Sequence, residues 1–110
     1  MHRVLAIVLL AGCVPTSYAY TPASSRSFQA KPEGCTFEVL TSEPTDAFEE
    51  IGELVHYNGD VANNPDALKK AVAKQVCGVG GDAVIAVSDG NGYGKGRVIH
   101  YVKLPSPAAP

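Results

Sequence analysis

The chain has no tryptophan, one methionine and three phenylalanines, so little large apolar material is available for a core. It also lacks charge of one sign. The formal net charge is −2, too small to act beyond a Debye length of about 10 Å. No basic stretch speaks for nucleic acid, and no acidic tail for a cationic partner. No apolar run reaches the roughly 20 residues that a membrane-spanning helix requires. There is no internal repeat, no cofactor motif, and no nucleophile set beside a base and an orienting group. With 110 residues, the chain is bounded at one domain.

What is present begins at the amino terminus. Met1, His2 and Arg3 form a short cationic start, followed by the apolar run from Val4 to Leu10 and the small residues Ala11 and Gly12. These are the marks of an export signal. Leu10-Ala11-Gly12-Cys13 resembles the lipobox of bacterial lipoproteins. The resemblance implies that residues 1–12 are a signal peptide. Cys13 then becomes the first residue, acylated by chains such as palmitate, and the membrane is a partner through that lipid. Several acyl chains together anchor stably, at about 0.8 kcal/mol per buried methylene. Val14, rather than Asp, after the cysteine resembles the pattern that sends lipoproteins to the outer membrane, facing the periplasm. The alternative is ordinary secretion: Ser17-Tyr18-Ala19 is a small-x-small cleavage site that would release a soluble protein beginning at Tyr20.

Three cysteines are an odd number in an exported chain. With Cys13 assigned to lipid, Cys35 and Cys77 remain, and an oxidising compartment would join them. The bridge would close a loop of about 43 residues, worth about 4 kcal/mol in the chain-entropy model. The other reading is a pair of buried free thiols.

Residues 14–34 are rich in Ser, Thr and Pro and show no apolar periodicity. Together with Cys13 they read as a lipidated tether over 13–34, although Tyr18, Tyr20 and Phe28 would allow part of it to pack on the domain. The domain is expected over 35–104. Thr36 to Leu40 alternates as a strand. Residues 49–57 have both helical and strand spacing, and Gly52 with the β-branched and aromatic residues near the end favours a strand. Asn64 as N-cap, Pro65 at the first position and Asp66 at the positive end of the dipole start a helix over 65–77. Gly78 is placed to stop it. Strands follow at 82–87 and 97–104, separated by the glycine-rich run from Asp89 to Gly96, and 105–110 reads as a disordered tail. The expected fold is α+β: a four-stranded, largely antiparallel sheet with one helix on a face, in the order β-β-α-β-β.

Within this frame, the run through Ile51-Gly52-Glu53-Leu54, the helix, and Gly80-Gly81-Asp82-Ala83-Val84-Ile85-Ala86 resembles the YbjQ-type domain family and the related RcsF-like outer-membrane lipoproteins. Gly81 stands where those families usually have Ala. RcsF-like proteins carry two disulfides, and this chain has cysteines for one beyond Cys13. The resemblance implies fold rather than activity. YbjQ-type domains have been labelled heavy-metal binders, which would fall here on His56 and His100, joined by Asp60 or Glu53. Without local ligand spacing, these histidines also read as ordinary strand-surface residues.

The glycine-rich run fails as a phosphate loop, having Asp89 and Gly96 where Gly and Ser or Thr are needed. It fails as a calcium loop as well, with Tyr93 and His100 at the fifth and twelfth positions. It reads as a hairpin tip, or else as a display of Tyr93 between Lys95 and Arg97 for a partner. The expected function is a non-catalytic, membrane-anchored envelope lipoprotein that binds an envelope protein or senses envelope state. A metal or small-ligand carrier using His56 and His100 is the alternative.

Overall fold

A computed structural model describes residues 16–23 and 27–102; the signal segment, Cys13 and the 105–110 tail lie outside the described residues. The fold is α+β. One helix, α1 (Pro65–Gly78), packs on a sheet of β1 (Ser17–Pro22), β2 (Glu38–Leu40), β3 (Phe48–Asn58), β4 (Ala83–Val87) and β5 (Lys95–Tyr101). The sheet has five strands in the order β1-β3-β5-β4-β2, which corrects the expected four. It is mixed, because β2 runs parallel to β4 while the other pairs are antiparallel. Among the described residues no helix is long and apolar enough to cross a membrane.

The added strand comes from the segment read as a tether. In Ser17-Tyr18-Ala19-Tyr20-Thr21 the tyrosines alternate with small residues, so one face can be buried while the other stays polar. Tyr18 is buried, and Tyr20 packs against the same core. β1 pairs along β3 from Ser17↔Asn58 to Pro22↔Gly52. A Cβ at Gly52 would fall inside the Tyr20 ring, so the glycine that weighs against a helix here seats an aromatic. Lys31 and Phe28, farther along the segment read as a tether, are also fastened. The Lys31 N–H donates to the Cys77 carbonyl at 2.8 Å, and Phe28 stacks on His100 with ring centroids 4.4 Å apart. Cys35 and Cys77 form a disulfide, with Cα atoms 5.9 Å apart.

α1 starts as its sequence dictates, with the Asn64 side chain accepting the Ala67 N–H at 2.8 Å. It ends at Gly78, one residue later than the expected 65–77. Gly80 takes the left-handed conformation (φ 78°). The Gly81 N–H reaches the Val76 carbonyl at 2.9 Å and the Gly80 N–H reaches that of Cys77 at 3.1 Å, a Schellman closure.

The sheet is buried on both faces. Against α1, the side chains of Leu68, Val72 and Val76 meet Tyr18, Leu54, Val84 and Val98, each such apolar burial contributing about 1.5–3 kcal/mol. The other face carries a smaller cluster of Ala83, Ile85 and Ile99, flanked by Leu40, Phe48 and Tyr101. β2 and β3 are parallel and lie three strand spacings apart, so residues 41–47 cross that second face. Glu43 in this crossover is held by Arg97 at 2.8 Å, and its last residue, Ala47, accepts the Val102 N–H at 3.1 Å.

Candidate functional site

Strand register decides which of the candidate residues meet. On β3, His56 lies beside Tyr18 of β1, and its N–H donates to Gly94 at 2.8 Å. His100 of β5 pairs with Glu49 near the other end of β3. Seven positions along the strand keep the two imidazoles about 20 Å apart. His56 Nε2 is engaged with the Gly59 carbonyl at 2.7 Å. Among the described residues no three His, Cys, Asp or Glu side chains gather to hold a metal ion.

At the His56 end of the sheet lies an open cleft of about 600 Å³. Val55, Val61 and Val87 are among its lining residues, and His56, Asp60, Asp89 and Lys95 supply charged or titratable groups. Asp89 is partly committed to its own loop, where its side chain accepts the Asn91 N–H at 2.9 Å. The Ser88 hydroxyl likewise accepts the Gly90 N–H at 3.2 Å. Gly90 and Gly92 hold positive φ values of 99° and 150°, the freedom this tip requires. The cleft therefore brings three valines together with two carboxylates, an imidazole and one ammonium.

Tyr93, Lys95 and Arg97 do not form one display. Tyr93 is half-buried and packs against the main core; its carbonyl accepts the Tyr18 hydroxyl at 2.7 Å. Arg97 is clasped by Glu43 and Glu50, each at 2.8 Å. Those carboxylates raise the guanidinium pKa further, and the Arg97 guanidinium lies over Phe48. Lys95 alone of the three projects freely, into the cleft rim. The expectation of Tyr93 as an exposed aromatic fails because the loop folds inward to satisfy Tyr18.

Two side-chain groups were not legible. The first centres on Tyr18, whose hydroxyl also accepts the Ala62 N–H at 3.2 Å. Its backbone carbonyl accepts Gln75 Nε2 at 2.7 Å, and burial raises its pKa against a lowering by Ala62. The second is Asp82 with Lys31 and His100. The Lys31 ammonium donates to Asp82 at 2.6 Å and to the Gly81 carbonyl at 3.0 Å. His100 Nδ1 lies 3.2 Å from Asp82 Oδ2 but off the hydrogen-bond direction, so that buried nitrogen has no hydrogen-bond partner among the described residues. The only linear signal for the first was the alternation of Tyr18 and Tyr20; for the second there was none.

Comparisons with protein-family models, curated proteins and solved structures find no match to this chain.

Proposed function

We propose that the chain is an envelope lipoprotein anchored through Cys13, whose α+β domain is a non-catalytic module that binds an envelope protein or senses envelope state. The observation that carries the anchoring is the position of Ser17-Tyr18-Ala19 within β1. Cleavage after Ala19 would split that strand and remove Tyr18, a core residue with 3% exposure. Processing before Cys13 leaves every described residue in place. The Cys35–Cys77 bridge agrees with an oxidising compartment, and the likeness to RcsF-like lipoproteins agrees with an outer-membrane address facing the periplasm.

Intact mass of the protein extracted from cell envelopes tests the anchor. The expected mass is that of a chain starting at an acylated Cys13, and Cys13→Ser should abolish both acylation and membrane recovery. A mass starting at Tyr20 would overturn the reading. Crosslinking in cells, at rest and under envelope stress, tests the module. A specific envelope protein should be captured, and capture of none in either state would refute a binding role.

A further inference from the structure

At the cleft end of the sheet, four side chains form a row that the core leaves uncovered. Val55, Lys95 and Val87 are direct cross-strand neighbours on β3, β5 and β4. Val87 follows Ile85 by two positions and so shares the face turned away from α1. Tyr57 stands two positions beyond Val55, at the irregularity where the β1–β3 register shifts between Tyr18↔His56 and Ser17↔Asn58. Tyr57 is 67% exposed and Val87 38%, two of the three large hydrophobics exposed among the described residues. The third, Val102, follows the far end of β5. A tyrosine, two valines and a lysine combine apolar stems with polar tips, the chemistry of side chains that settle at a bilayer interface.

The chain enters the domain at this same end. Ser17 pairs with Asn58, next to Tyr57, and Thr16 Oγ1 donates to the Asp60 carbonyl at 2.8 Å. From Thr16 back to Cys13 there are three residue steps, at most about 11 Å of extended chain. Because residues 17–22 belong to the sheet, no longer spacer lies between an acylated Cys13 and the row.

We propose that Tyr57, Val55, Val87 and Lys95 dock on the lipid headgroup layer of the membrane that holds the anchor, so that the domain rests against the bilayer instead of swinging from a tether. This inference rests on the assignment of the lipid to Cys13. Asp60 and Asp89 border the row and offset Lys95, so zwitterionic headgroups suit it better than anionic ones. The far end of the sheet is left facing the periplasm.

The absence of tryptophan makes the test direct. Full-length lipidated protein carrying Tyr57→Trp, or Val102→Trp as the far-end control, is reconstituted into phosphatidylethanolamine–phosphatidylcholine vesicles containing lipids with a nitroxide headgroup. Emission from Tyr57→Trp should shift to the blue and be quenched several-fold more than that from Val102→Trp. Adding Val87→Asp and Lys95→Glu should remove the difference. Lipidated protein that floats with the vesicles yet shows equal, weak quenching at both positions overturns the docking and leaves the anchor intact. Shielding of Tyr57→Trp in native envelopes but not in vesicles would also overturn it, assigning the row to a protein partner. Protein that carries no acyl mass removes the anchor, and the docking with it.

Discussion

Asp82 shows how one residue joins three parts of the chain. Its carboxylate accepts the Lys31 ammonium at 2.6 Å and the Tyr101 N–H at 2.8 Å, with His100 alongside. Burial pushes its pKa up, but Lys31, the Tyr101 N–H and His100 together outweigh burial and hold it below the usual carboxylate value. The folded chain thus binds this proton more weakly than the unfolded chain does. Its contribution is fully present above the unfolded carboxylate pKa and is lost as pH falls through the folded one. Asp82→Asn should cost about 1.5–3 kcal/mol at neutral pH, the range for hydrogen bonds to a charged group. It should also flatten the acid limb of stability, as read by urea unfolding from neutral to acidic pH. An acid limb parallel to that of the parent would remove Asp82 from this account. Next to it, the packing gives a reason for Gly81. A Cβ there would stand 2.6 Å from Val98 Cγ1 and 2.9 Å from Val76 Cγ1, so the branched valines occupy the space a methyl would need.

Elements differed in legibility according to how local their determinants are. α1 was legible because its cap, its first-turn proline and its apolar spacing all lie within the segment itself. Only its last turn was misjudged, since Gly78 and Gly80 both suit a stop and the choice depends on where Gly81 can donate. β3 was legible as a strand partly through Gly52, whereas the structural reason for Gly52, the Tyr20 ring, lies 32 positions away. β2 was visible as a strand, but its parallel pairing with β4 was not, because partner choice is a long-range outcome. β1 was missed because six residues among serines and prolines carry too little pattern to outweigh a loop-like composition. A matched pair of unacylated proteins, one starting at Val14 and one at Tyr20, tests what β1 contributes. Loss of buried Tyr18 should cost about 3–5 kcal/mol, the range for removing a large core aromatic. The lost bonds to Ala62 and Gln75 add to this, so the shorter protein should unfold at much lower urea or fail to fold. Equal midpoints would mean that β1 is dispensable, and cleavage after Ala19 would again be tenable.

At the scale of the whole molecule, a small core is divided between two sheet faces, and closure depends on fastening the amino-terminal third. Phe28, Lys31 and Cys35 clamp that third onto the end of α1, the start of β4 and the end of β5. The disulfide closes 42 residues of separation, a loop that contains β2, β3 and nearly all of α1. In the chain-entropy model this is worth about 4 kcal/mol, against a total stability of about 5–15 kcal/mol for ordinary domains. Reduction should therefore lower the melting temperature by about 20 °C, at about 4–8 °C per kcal/mol for a domain of this size. Cys35→Ala with Cys77→Ala should reproduce that loss without reductant, as followed by circular dichroism on heating. A shift of only a few degrees would mean that Lys31 and Phe28 hold the clamp unaided. On the proposed export route, a shift of the expected size has a directional consequence: in a reducing compartment before export the chain would be only weakly folded. Oxidation after translocation would then lock the domain where we propose its anchor, so the fold would reach full stability on the side of the membrane where we place its function.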